Sequence, residues 1–190
     1  KLASMYNVTD ELNRNVNKPD IRKVPASQDQ KDGTKIFELA DHLTPEQLRI
    51  LGPRVTQENA EALHWYSAKY IGYVKNREVT YKYATATYPI FMRECLVKPA
   101  EGDTPEVKFY KIYEPLNPDK QWRFSYTPEG VKPKDYINGL SELKALYREF
   151  NSREEAAFKK NPANAEKPYK EQKLQEAFIC SGERDALCVK

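Results

Sequence analysis

The sequence predicts an α+β fold that is mostly helical, in which a long central helix packs on a small antiparallel sheet. Three observations predict it. Residues from about 56 to 88 have the apolar spacing of an amphipathic helix, two segments at 107–113 and 121–126 are rich in β-forming residues, and helical spacing returns after residue 140. A short sheet needs a helix on one face. The expected sheet is a hairpin or three strands, followed by two carboxyl-terminal helices.

The amino-terminal residues 1–34 show weak apolar patterning and are broken by Pro19, Pro25 and Gly33. Such a segment is typical of an extended arm. The remaining chain, 35–190, is long enough for one domain with its own core. The predicted organisation is therefore an arm followed by a single α+β domain.

A short helix is predicted to begin at Thr44. Threonine caps a helix well, Pro45 suits the first helical position, and an acid and an amide follow. The pair Gly52-Pro53 is predicted to end this helix, because proline cannot continue it.

The long helix is predicted from Thr56 to about Tyr88, because no proline interrupts the chain before Pro89. At 100° per residue its core face contains Ala60, Leu63, Ser67, Tyr70, Ile71, Val74, Tyr81 and Tyr88. Gly72 indicates a close approach by another element or a local bend.

Trp65 and Tyr83 fall on the opposite face of that helix. Tryptophan and tyrosine are favoured at protein interfaces. Trp65 and Tyr83 are therefore the predicted partner-binding residues; the alternative is that the core encloses both faces of the helix.

The region after Pro89 predicts strands and then helices. Segments 107–113 and 121–126 form a hairpin across the turn-rich loop 114–120, and 91–97 is a candidate third strand. Two helices are expected at about 141–160 and 169–179.

Composition excludes some classes of function. The chain has 31 basic and 28 acidic residues, interspersed along the sequence. This favours a solvated mixed-charge surface over a nucleic-acid interface. No apolar run approaches the roughly 18–20 residues that span a bilayer. The expected partners are other proteins.

Cys180 and Cys188 bracket a short polar segment near the chain end. They predict a disulfide clip worth about 2–3 kcal/mol, which would need an oxidising compartment. The alternative is three reduced thiols. Cys95 is expected to be a buried structural thiol.

No motif predicts an enzyme. The glycines form no phosphate-binding loop, and His42 and His64 lack the neighbouring ligands of a zinc site. We therefore expect no catalytic residue, no cofactor and no bound metal. An unrecognised enzyme would need His64, Cys95 and an acid gathered in one cleft.

The segment Thr56-Gln57-Glu58-Asn59-Ala60, the aromatic positions after it and the closing Pro89 resemble the helical segment of TraF-type conjugation proteins. These are periplasmic components of conjugative type IV secretion systems, and their segment begins T-P-E-N. The resemblance covers residues 56–89 and implies an extracytoplasmic assembly. That family continues into a thioredoxin-like domain, whereas this chain has no C-x-x-C, so no redox residue is carried over.

The sequence thus predicts a non-enzymatic structural or interaction protein of a periplasmic or envelope assembly, related to secretion or conjugation. The alternative is a secreted binding module, such as an effector, inhibitor or immunity-type protein, that binds through the loops at 98–106 and 114–120. Both hypotheses place the protein in the periplasm or outside the cell.

Overall fold

The computed structural model describes residues 18–97, 106–174, 176, 180 and 183–189. Seven strands and four α-helices follow one another along this part of the chain. In order they are β1 Asp20–Pro25, β2 Lys35–Leu39, α1 Pro45–Leu51, α2 Gln57–Ala62, β3 Trp65–Lys75, β4 Glu78–Tyr83, β5 Phe91–Val97, β6 Glu106–Tyr113, β7 Phe124–Thr127, α3 Leu140–Lys159 and α4 Glu183–Val189.

The fold is a curled antiparallel sheet, a half-barrel, and not the mostly helical fold predicted. In the described part of the chain, the strands contain more residues than the α-helices. The prediction of a long helix at 56–88 is wrong: the helix that Thr56 caps ends at Ala62, and the chain then forms β3 and β4. Residues 56–89 are therefore not the helical segment that the TraF-type resemblance implied.

Strand β3 organises the sheet. Its residue Ile71 pairs with Phe37 of β2 on one edge and with Lys82 of β4 on the other. Strand β5 pairs with the start of β3, opposite Trp65 to Ser67, so β4 and β5 share one edge of β3. The strand β1 is paired with β4, and β6 and β7 extend the sheet from β5.

The curl of the sheet brings β2 close to β6 and β7. Lys35 Nζ in β2 donates a hydrogen bond of 2.7 Å to the carbonyl oxygen of Tyr126 in β7. The rings of Phe37 and Tyr110 lie 4.8 Å apart between β2 and β6. One sheet face, the inner face, is therefore concave.

Two hydrophobic clusters hold the sheet. The helix-side cluster, which joins α1, α2 and α4 to the sheet, contains Leu43, Leu51, Val55, Ala60, Trp65, Phe91 and Leu187. The inner-face cluster contains Ala68, Tyr88, Ile90, Met92 and Ile112. Burial on both faces explains why strands β3 and β5 lack a simple alternation of polar and apolar residues.

Several predicted elements are present. Thr44 caps α1 through a capping box with Gln47, and β6 pairs with β7 as the predicted hairpin. The strand at 91–97 and the helix at 141–160 are found as β5 and α3. Residues 169–174 are not helical, so the last predicted helix does not begin there.

The predicted amino-terminal arm is described only in part. Residues 1–17 lie outside the described residues, and Asp20–Pro25 is a strand of the sheet. None of the helices in the described part of the chain has the length and apolar character that a bilayer-spanning helix needs.

Candidate interaction surface

Trp65 lies in the core. It is 2% exposed in the helix-side cluster, and its ring meets that of Tyr113 edge-on at 6.3 Å. Its indole Nε1 is buried and has no hydrogen-bond partner among the described residues. The partner-binding role of Trp65 stays a prediction, but the side chain is too deeply buried in this structure to contact a partner.

Tyr83 belongs to a group of three half-buried tyrosines on the sheet. The ring of Tyr70 lies 5.2 Å from that of Tyr81 and 5.4 Å from that of Tyr83. The guanidinium of Arg22 lies over the Tyr83 ring, 4.7 Å from its centroid. The backbone of Gly72 makes room for this group, because a Cβ there would lie 2.9 Å from the Tyr81 ring.

A more exposed aromatic surface lies at the far end of the sheet, and sequence reasoning did not select it. Trp122 is 61% exposed and Phe124 is 46% exposed. The Phe124 ring stacks on that of Tyr113 at 4.7 Å and 8°, and Lys111 Nζ lies 4.5 Å from its centroid. We call Lys111, Tyr113, Trp122 and Phe124 the Trp122 surface.

The loop before Trp122 fixes its position. The side chain of Asp119 accepts a hydrogen bond from the backbone of Gln121 and so caps the short 3-10 turn that contains Trp122. Asn117 donates from its side chain to the Trp122 carbonyl at 3.3 Å. Arg123 returns a hydrogen bond to the Asn117 carbonyl at 3.0 Å. A turn braced in this way loses little backbone freedom when a partner binds the tryptophan.

Rows of contacting rings connect this surface with the core. Phe91 stacks on Tyr113 at 6.0 Å, and Tyr113 also contacts Trp65. The ring of Phe124 is therefore the outer end of an aromatic row that begins at the buried Trp65. A surface built on packed rings is rigid, as binding hot spots require.

An open groove of about 410 Å³ lies beside the amino-terminal end of α1. Its lining consists of Ala40, His42, Thr44, Glu46, Gln47, Ser67, Ala68, Lys69, Ala84, Thr85 and Ala86. Two of its charged side chains are paired, Lys69 with Glu38 and Glu46 with Arg49. Gln47 Nε2 donates to the Ser67 hydroxyl at 2.8 Å, which leaves the groove lined largely by small and satisfied groups.

The inner face holds a buried ion pair. Glu114 is 4% exposed, and its Oε2 accepts hydrogen bonds of 2.7 Å from Lys82 Nζ and from the Tyr88 hydroxyl. Burial, and then the bond to Glu114, raise the pKa of the Tyr88 hydroxyl. The phenol therefore stays protonated and acts as a donor to the carboxylate.

A second carboxylate, Glu94, lies opposite Tyr110 across strands β5 and β6. It accepts a hydrogen bond of 3.1 Å from the Tyr110 hydroxyl, and Tyr66, opposite Met92 on β3, is its diagonal neighbour on the same face. Burial raises the pKa of Tyr110 to about 12, and the charge of Glu94 adds to this effect. Burial likewise raises the pKa of Tyr66.

The residues considered for enzyme chemistry are only partly brought together. His64, which has a left-handed backbone with φ 59°, places its Nδ1 4.0 Å from Glu94 Oε2. Cys95 is buried, and its Sγ lies 4.0 Å from Arg93 Nη1. Because neighbouring residues of a strand point to opposite faces, Cys95 and Glu94 lie on opposite sides of β5.

The predicted disulfide is not formed. Cys180 is a free thiol in the structure, and the side chain of Cys188 lies outside the described ones. The prediction failed because a short sequence spacing allows a disulfide but does not bring two Cβ atoms to bonding distance. Within the described ranges, no group of three or more His, Cys, Asp and Glu side chains is placed to hold a metal ion.

No protein family, no curated protein and no solved structure matches this chain.

Sequence reasoning missed Trp122 because it placed the residue inside a predicted strand. A signal was present in Asn117-Pro118-Asp119, where aspartate can cap a following turn. That reading places Trp122 at a turn rather than in a paired strand, and turns lie at the surface.

Proposed function

We propose that this chain is a non-enzymatic interaction protein that binds another protein through the Trp122 surface. The observation that carries the proposal is the 61% exposure of Trp122 on a braced turn, two residues before Phe124, which is 46% exposed at the start of β7. Exposed tryptophan is costly to leave in water and is enriched at the centres of protein interfaces.

The exposed rings indicate what the partner surface contains. Lys111 lies over the Phe124 ring, and Arg184 Nη1 lies 3.5 Å from the hydroxyl of the half-buried Tyr113. Exposed tryptophan and phenylalanine rings favour a partner that offers an apolar pocket.

The two interaction hypotheses from the sequence used different residues. The envelope-assembly hypothesis placed binding at Trp65 and Tyr83, whereas the secreted-module hypothesis used the loop 114–120, which ends two residues before Trp122. Of the other loop in that hypothesis, residues 98–105 lie outside the described residues. The hypotheses differ in the partner, which is a component of an envelope assembly in the first and a single tightly bound target in the second.

The cellular location of the protein is part of the proposal. We propose an extracytoplasmic assembly, in the periplasm or outside the cell, from the resemblance in amino-acid sequence to TraF-type proteins alone, since residues 65–83 form strands and not that family's helix. The free Cys180 removes the disulfide as support for this location. Fractionation of cells that make the protein tests it: recovery with cytoplasmic markers would contradict it.

A photo-crosslinking experiment tests the surface. The photoreactive residue p-benzoylphenylalanine replaces Trp122 in one variant and Leu146 in a control, because Leu146 on α3 is similarly exposed at 60%. We expect a discrete crosslinked protein from position 122 that is absent from position 146. The proposal fails if both positions give the same products, or if position 122 gives none.

A further inference from the structure

Strand β1 is the most exposed strand of the sheet. All six of its residues are exposed, whereas each of the other described strands has residues that are buried or half-buried. It lies at one end of the strand order and pairs with β4. Two of its exposed side chains are apolar, Ile21 at 57% and Val24 at 41%. An edge strand of this kind is a template for pairing with another strand.

A hydrogen bond at the end of β1 shows which of its backbone groups point outward. The Ala26 amide donates to the Arg77 carbonyl at 2.9 Å, in continuation of the β1–β4 register. In an antiparallel strand, alternate residues direct their N–H and C=O groups to the same side. The even-numbered residues of β1 therefore bond to β4, whereas Ile21 and Lys23 direct their backbone groups away from it.

We propose that β1 pairs with β1 of a second copy of this chain, antiparallel and centred on Ile21. Each Ile21 amide donates to the Ile21 carbonyl of the other copy, and each Lys23 amide donates to the opposite Pro19 carbonyl. Proline has no N–H, so Pro19 and Pro25 limit the length of the pairing. The same strand of both copies forms the contact, which therefore closes as a dimer with two-fold symmetry.

The charges of β1 are complementary to those of a second copy in this register. Asp20 of each copy lies opposite Arg22 of the other, in a non-hydrogen-bonded pair, where opposing side chains are closest. A register centred one residue to either side places Asp20 opposite Asp20, or Arg22 opposite Arg22. Like charges directly opposite each other are destabilising. Charge therefore selects the register centred on Ile21 over its two neighbours.

Both charged side chains are accessible to a second copy. Within one chain Arg22 Nη2 lies 2.6 Å from Asp20 Oδ2, and the two side chains are 64% and 46% exposed. A guanidinium has five N–H donors and a carboxylate has two acceptor oxygens. Each group can therefore keep its partner within the chain and contact the opposite group of the other copy.

Sedimentation equilibrium of the whole chain tests the proposal. A strand pair of this length buries less than the roughly 1,200 Å² of a stable protein interface, so the dimer should be weak and reversible. We expect the average mass to rise with concentration towards that of a dimer, with a dissociation constant on the order of 10 µM to 1 mM.

Charge reversals locate the contact. Asp20→Arg and Arg22→Asp each bring like charges together across the interface, and each should raise the dissociation constant about tenfold or more. An equimolar mixture of the two variants should dimerise again, because every position 20 then faces a position 22 of opposite charge. Glu106→Arg, on the exposed start of β6, makes the same change in net charge as Asp20→Arg and should dimerise as the wild type does.

A backbone variant tests the hydrogen bonds. Ile21→Pro removes the central outward amide without removing a hydrogen bond to β4, and proline is tolerated on an edge strand. It should weaken dimerisation at least as much as the charge reversals. Circular dichroism establishes that each variant is folded before sedimentation.

Three results would overturn the proposal. They are a wild type that stays monomeric through the millimolar range, single charge variants or an Ile21→Pro variant that dimerise like the wild type, and folded charge variants whose mixture stays monomeric. A monomeric wild type would leave this edge to another protein or to another segment of the same chain. The Trp122 surface does not enter the experiment, so its failure leaves the proposed protein-binding function to its own test.

Discussion

Close packing restricts which side chain some positions can hold, and Gly72 is the clearest example. It lies opposite Tyr81 in the β3–β4 pair. A Cβ there would lie 2.9 Å from the Tyr81 ring and 3.1 Å from Val79 Cγ1. The glycine is needed for space between two strands, whereas the sequence had placed it in a helix, at a crossing or a bend.

Gly72→Ala should lower the free energy of unfolding by about 1–3 kcal/mol, because the Tyr81 ring must move from its place beside Tyr70. Urea denaturation measures the change. In a Tyr81→Ala background the same substitution should cost clearly less, since the main clash is gone. Equal costs in both backgrounds would show that the ring contact is not the reason for glycine.

The raised pKa of Tyr110 makes the free energy of unfolding depend on pH in the alkaline range. Its folded pKa is about 12, against an ordinary value of about 10. The raised pKa means that the unfolded chain loses this proton first, so the stabilisation is complete below pH 10 and is lost as pH rises from about 10 to 12.

Tyr110→Phe should therefore make the loss of stability between pH 10 and 12 shallower, measured by urea denaturation at a series of pH values. Tyr73→Phe is the control, since Tyr73 is 40% exposed. An unchanged slope for Tyr110→Phe would contradict the burial and Glu94 contact assigned to this hydroxyl.

The secondary-structure elements show how far local sequence signals reach. The α1 helix, the β6–β7 hairpin, β5 and α3 were predictable because caps, turn residues and periodicity lie within each element. Fold class was not, because residues 65–83 contain tyrosine, valine and threonine spaced in a way that suits both a helix face and a strand buried on both sides.

A stronger reading of 65–83 was available from β propensity and from the turn at Asn76-Arg77. Both residues have left-handed backbones, with φ of 53° and 61°, as in a tight two-residue hairpin turn. Asp32 supports the turn by accepting a hydrogen bond from the Asn76 amide at 3.0 Å. This support comes from 44 residues away, so a local pattern could not reveal it.

Asn151 joins two elements in the carboxyl-terminal region. It is 5% exposed on α3, and its Oδ1 accepts from the Gln172 amide at 2.7 Å and from the Tyr169 hydroxyl at 3.1 Å. Its Nδ2 donates to the Gln172 carbonyl at 3.1 Å. One side chain thus fixes the extended segment 169–172 against the helix.

Asn151→Ala should release that segment, because alanine replaces none of these hydrogen bonds. Hydrogen–deuterium exchange at the Gln172 amide should become faster, while exchange within the β3–β4 hairpin stays as in the wild type. Ser152→Ala, at an exposed neighbouring position, is the control. Unchanged exchange at Gln172 would contradict the role given to Asn151.

Across the whole molecule, the two faces of the sheet have different environments. The helix-side face contains the core around Trp65 and ends at the Trp122 surface. The inner face is apolar at its centre and carries the Glu114 and Glu94 carboxylates. The sequence contained the aromatic and charged residues of both faces, but only the curl of the sheet decides which tryptophan is buried.

The affinity between this chain and the protein crosslinked at position 122 tests the central claim most directly. Trp122→Ala should weaken binding by about 2 kcal/mol, which raises the dissociation constant roughly 30-fold. The free energy of unfolding should change little, because the side chain is 61% exposed. Leu146→Ala should leave the affinity unchanged. Equal affinities for Trp122→Ala and the wild type would contradict the account.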